Sequence, residues 1–148
     1  MRKKTLYNPV FKKIEYYLYN YDYIDIKISN IEDDISNYDY NQNYYKWIKN
    51  KSSSLEDQVI RNIGIEQRIY KLKKWKHLIS FVLKWYEKNN IVNYYFIRLK
   101  YFKKANFIKI HKKLNLSLKE QKDIQAEILQ YIFFVAIKKG MLKKEVNY

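Results

Sequence analysis

The chain has no cysteine, and its 148 residues include only two glycines, one proline and two histidines. Lack of cysteine excludes disulfides, a thiolate nucleophile and cysteine-based zinc or iron–sulfur sites, and it suits a reducing compartment. With only His77 and His111, a histidine-rich metal centre is also out of reach. Scarce glycine and proline leave little turn chemistry for a β-fold and no glycine-rich phosphate loop. Long apolar runs are missing too. The longest, YIFFVAI at 131–137, falls far short of the roughly 20 residues that span a bilayer. The basic start MRKKTLYNPVFKK is not followed by an apolar segment of the signal-peptide type. A soluble protein in the cytoplasm, with no metal and no cofactor, is therefore expected.

Catalytic constellations are equally scarce. Glu32, Asp33 and Asp34, and again Glu56 and Asp57, place carboxylates side by side. Adjacent helical positions point to different faces, however, and no histidine or cysteine accompanies them, so a metal-dependent nuclease is not expected. Helix capping and solvation account for those acids, and the chain reads as a non-enzyme.

What the sequence has in plenty is lysine, giving a formal charge of +15. Lys, Asn, Ile and Tyr have AT-rich codons, so genome composition explains part of the surplus. It does not explain where the charge sits. Residues 1–50 carry 8 Lys/Arg against 7 Asp/Glu, whereas residues 51–100 and 101–148 each carry 11 against 4. A near-neutral first third beside a basic remainder is the asymmetry of a polyanion-binding module joined to an assembly element.

Apolar periodicity is helical nearly throughout, so the fold class is all-α. Asn8 and Pro9 supply an N-cap and a first-turn proline. From there Val10, Ile14, Tyr17, Tyr21, Ile24, Ile28, Ile31, Ile35 and Tyr38 recur at spacings of four and three, a heptad stripe that predicts a helix from about Pro9 to about Tyr38. The weak helix formers of NYDYID at 20–25 could still divide it. Residues 39–53 have no period and read as an aromatic-bearing loop, whose rings could stack on bases but more simply cover a core. Ser54 then opens SLED as an N-cap, and a second long helix should reach about Lys88. Its seam is Ile65, Ile69, Leu72, Ile79, Leu83 and Tyr86, and a second stripe of Trp75, Leu78, Val82 and Trp85 gives it two neighbours. The first 90 residues are thus expected to be a helical scaffold or dimerisation region packed in coiled-coil fashion. Self-association as a dimer follows, unless the first helix folds back on the second within one chain.

Residues 91–148 look different. A helix from about Ile91 to Phe102 should be followed by one from Phe107 to about Lys113, capped by Asn106. After a break at Asn115, SLKE at 117–120 fits a capping box that opens a last helix from Leu118 to about Lys139, with Gly140 ending it in the left-handed conformation. On that helix Ile124, Ile128, Tyr131 and Val135 share one face, and Lys119, Lys122, Asp123 and Ala126 the opposite one. A short helix, a tight break and a capped helix offering basic and small residues form a helix-turn-helix pattern, whose second helix enters the major groove of DNA. Lys109, Lys112, Lys113 and Ser117 would meet phosphates. Lys119, Lys122, Asp123, Gln125 and Ala126 would face base edges. His111 is expected to be buried between the two helices.

The run YYFIRLKYFKKANFIKIHKKLNLSLKEQKDIQAEILQYIFFVAIKKG resembles the C-terminal half of the RinA/ArpU-like phage transcriptional regulators, whose helix-turn-helix is similar to region 4 of sigma factors. The matching features are Phe96, Ile97, Tyr101, Phe102, Leu114, Leu116, Ser117, Ile124, Ile128 and Leu129. IEYYLYNYDYIDIKISNIEDDI and SSLEDQVIRNIGIEQRIYKLKKWKHLISFVL look like that family's first and central helices, so the likeness covers roughly Pro9 to Gly140. Glu120 and Gln121 depart from it, standing where threonine and a small or apolar residue are common. The resemblance implies a phage- or prophage-encoded activator of late genes in a bacterial host's cytoplasm, acting on double-stranded DNA, with RNA polymerase as a further partner; a second copy of the chain is the partner that the apolar stripes of the first two long helices predict. Two other readings remain open: a DNA-packaging protein similar to small terminase subunits, and a basic coiled-coil scaffold.

Overall fold

A computed structural model describes residues 8–34 and 55–143, with only the backbone path given for 55–62. Every regular element among these residues is helical. In order they are α1 (Pro9–Tyr19), a 3₁₀ turn (Tyr21–Tyr23), α2 (24–34), α3 (Leu55–Asn89), α4 (Ile91–Ile97) running into a π turn (Arg98–Phe102), α5 (Phe107–Leu114) and α6 (Leu118–Lys138). None of them is long and apolar enough to cross a membrane.

Local chemistry explains the boundaries. Asn8 caps α1 by accepting from the Val10 amide at 2.9 Å, with Pro9 in the first turn. The expected long first helix is divided, and Asn20 divides it. Its backbone amide and its side-chain Nδ2 both return to the Tyr16 carbonyl, the latter at 2.7 Å, which closes α1 one turn before the stripe resumes. Ile35, Tyr38, the aromatic loop at 39–53 and the Ser54 cap lie outside the described residues. The helix expected from Ile91 to Phe102 is α-helical only to Ile97, and then widens into the π turn, closed by the Lys103 amide on Arg98 O at 2.9 Å.

The chain divides into two compact units, one made of Met1–Asp22 with Lys76–Tyr148, the other of Tyr23–Trp75. The division falls within α3 and before α2. In the second unit Ile24, Ile28 and Trp75 are buried, while Ile31, Ile65, Ile69 and Leu72 are half-buried. Among the described residues the first unit buries Phe11, Ile14, Tyr17 and Leu18 of α1, Leu78, Ile79, Val82 and Tyr86 of α3, Phe96 and Ile97 of α4, Leu99 and Tyr101 of the π turn, and Ile128, Leu129, Ile132, Val135 and Ala136 of α6. α1 packs on α6 and on the π turn. The α1 part of the heptad stripe is thus covered from within the chain.

Candidate nucleic-acid interface

The capped break at 115–117 is built from three adjacent devices. Asn115 closes α5 in the left-handed region (φ 55°), a conformation that asparagine tolerates better than most residues. Ser117 Oγ accepts from the Glu120 amide, and Glu120 Oε1 accepts from the Ser117 amide, both at 3.2 Å, so the expected capping box is present. Gln121 is buried, and its Nε2 donates to Phe107 O at 3.2 Å and to Leu116 O at 3.0 Å. One amide thereby ties the start of α5 and the break to the first turn of α6.

His111 is not buried between the helices as expected, but exposed. Its Nδ1 lies 2.8 Å from Leu116 O. A carbonyl only accepts, so Nδ1 carries the proton and the ring braces the break from outside. Gln121, an odd residue for that position, does the interior work that an apolar side chain was expected to do.

α6 has a neighbour on each flank. Tyr131 meets the rings of Trp85 and Tyr86 on α3, with centroids 5.1 and 5.5 Å away. On the other flank Phe133 meets Phe11 of α1 edge-on at 5.9 Å, and Gln125 Nε2 donates to Glu15 Oε2 at 3.0 Å. At 100° per residue the buried face, centred near Ile132, is turned roughly 70° from the stripe of Ile124, Ile128, Tyr131 and Val135. The cause is α1, which covers the flank carrying Gln125, Leu129 and Ala136.

That rotation sorts the candidate reading residues. Lys119 and Lys122 are exposed; Asp123 and Ala126 are half-buried. Gln125 leaves the group, because its amide is committed to Glu15. Lys109, Lys112 and Lys113 are all exposed on α5. Ser117 is exposed, but its amide and hydroxyl are both engaged by the capping box, and the Glu120 carboxylate stands where a phosphate would approach. Ser117 is consequently a weaker anion contact than the spacing implied.

A further feature went unread in the sequence. Between Glu87 and Glu120 there is no acidic residue, while nine Lys/Arg occur. They include Arg98 and Lys100 on the π turn and Lys103 and Lys104 in the link to α5; Lys104 adopts φ 52°. Tallying charge by thirds of the chain hid this run, because its ends fall inside two windows. The outer face of α6 is more balanced, since Glu120 and Glu127 are exposed beside Lys119 and Lys122. Positive potential thus concentrates before α6 rather than on it.

A partly buried polar node completes the site. Glu15 Oε2 accepts from the Tyr101 hydroxyl at 2.9 Å as well as from Gln125. Tyr101 is fully buried, with the Tyr19 ring edge-on at 4.8 Å. Burial first, and then the Glu15 charge, push its pKa well above the usual tyrosine value. Nothing in the spacing marked Glu15 as special, since it lies one residue off the apolar stripe. Compared with protein-family models, curated proteins and solved structures, the chain matches none.

Proposed function

We propose that the protein is a sequence-specific, non-enzymatic binder of double-stranded DNA that regulates transcription, with α5, the break and α6 acting as its helix-turn-helix. The observation that carries this reading is an acid-free, lysine-rich segment, residues 88–119, leading directly into a capped helix whose first turns expose Lys119 and Lys122. Lys109, Lys112 and Lys113 then serve phosphates, and Lys119, Lys122 and Asp123 serve base edges beside the small Ala126. The resemblance to phage late-gene regulators supports the same reading and adds RNA polymerase as a partner. Self-association remains part of the proposal, although α1 no longer argues for it; sedimentation at micromolar concentration decides that point. The principal test is selection of bound sequences from random DNA. An enriched motif is the expected result. Tight binding without any motif would favour the packaging-type reading, and no binding would sink both.

A further inference from the structure

Glu15 lies over a hundred residues from Gln125 in sequence, yet it accepts from two converging donors, the Tyr101 hydroxyl and the Gln125 amide. Both bonds end on the same oxygen, Oε2. Tyr101 belongs to the π turn that precedes the basic link to α5, and Gln125 is one turn beyond Lys122 on α6. A single carboxylate on α1 therefore grips both ends of the segment that carries the DNA contacts. Phe11, one turn earlier on α1, meets Phe133, two turns later on α6, so the two helices run antiparallel and touch at two separated points. Two such points fix rotation as well as position, because turning α6 about its axis would break the Gln125 bond and withdraw Phe133 from Phe11.

We infer that Glu15 is a positioning residue for DNA reading: through Gln125 and Tyr101 it sets the rotation of α6 that directs Lys119 and Lys122 outward. The inference rests on the proposed function. α1 thereby belongs to the DNA-binding unit instead of being part of a separate assembly element. A packing role alone would need only an apolar residue at position 15, whereas a positioning role needs an oxygen at the place of Oε2. Glutamine supplies one, and its carbonyl oxygen can accept both bonds, so the two roles separate experimentally.

The test uses the full chain. Glu15→Ala should lower the ratio of preferred-site to random-DNA affinity about tenfold, while Glu15→Gln should keep it within about twofold of the parent. Gln125→Ala, which leaves the Tyr101 bond in place, should lower the ratio similarly, and the double variant should add little further loss. Tyr21→Phe, which removes a 2.6 Å bond to Ser80 between α3 and the 3₁₀ turn, is a stability control expected to leave the ratio unchanged. Positioning is also read without DNA. The Gln125 side-chain amide resonances should be retained in Glu15→Gln and should shift and exchange faster in Glu15→Ala. Equal ratios in all variants, or a Glu15→Gln loss as large as that of Glu15→Ala, would overturn the inference. If the parent shows no sequence preference, the DNA reading fails, and the amide resonances alone still decide whether Glu15 holds α6.

Discussion

Gln121 stands at a helix position that would ordinarily be apolar, and it is tolerated because both of its amide hydrogens have carbonyl partners. Gln121→Ala should cost about 1–3 kcal/mol in chemical denaturation, since the break loses its interior tie. Two buried tyrosines make stability depend on alkaline pH. Tyr101 is raised by burial and then by Glu15, and Tyr86 is raised by burial and then by Glu127, both from an ordinary value of 10.0. The folded chain holds these protons more tightly than the unfolded chain does, so stability is full below about pH 10 and falls as pH rises past it. Denaturant midpoints should therefore hold up to about pH 10 and drop progressively above it, with a smaller drop in Tyr101→Phe. Absorbance near the tyrosinate band should show a fraction of tyrosines that ionise only on unfolding.

The link between α5 and α6 concentrates its information in a few backbone requirements. Asn115 at φ 55° should accept glycine with little or no loss, whereas Asn115→Val should cost about 1–2 kcal/mol, because a β-branched side chain resists the left-handed region. Ser117→Ala removes the hydroxyl half of the capping box and should cost about 1 kcal/mol, measured as a shift in unfolding midpoint. The two helices should also differ in how their lysines fail. Alanine at Lys109, Lys112 or Lys113 should weaken preferred and random DNA alike and reduce the salt slope by about one unit. Alanine at Lys119 or Lys122 should cost about 1–3 kcal/mol on the preferred site and relax preference at one base pair. Equal losses on both DNAs for every lysine would leave α6 without a reading role.

At the level of the molecule, the first unit is assembled from discontinuous sequence. Its core draws on α1, the last part of α3, α4, the π turn and α6. The basic C-terminal segment is therefore not expected to fold alone. A fragment of residues 91–148 lacks the α1 partners of Phe133 and Gln125 and the α3 partners of Tyr131. Its circular dichroism should show far less helix than the intact chain, and its amide NMR dispersion should be narrow. A cooperatively folded fragment would support a separate helix-turn-helix region beginning near residue 91.

Much of this was legible in the sequence because it depends on neighbours along the chain. Few glycines and prolines together with 3.6-residue periodicity gave the all-helical class; Asn8–Pro9, Asn106, Ser117–Glu120 and Gly140 marked helix ends through capping bonds that reach no farther than a turn. The π turn and the division at Asn20 were less visible, since each depends on which of several nearby acceptors wins. What only tertiary structure decided was the direction in which each face points. The sequence pattern placed the packed stripe of α6 on Ile124 and Tyr131, but α1, folding back from the other end of the chain, turned the buried face toward Leu129 and drew Gln125 away from the candidate reading surface. Glu15 acquires a role, and the first unit its composition, from that same packing. Periodicity records that a helix has an apolar face; which distant helix will cover it, and at what rotation, is set by contacts between residues whose separation along the chain carries no local signal.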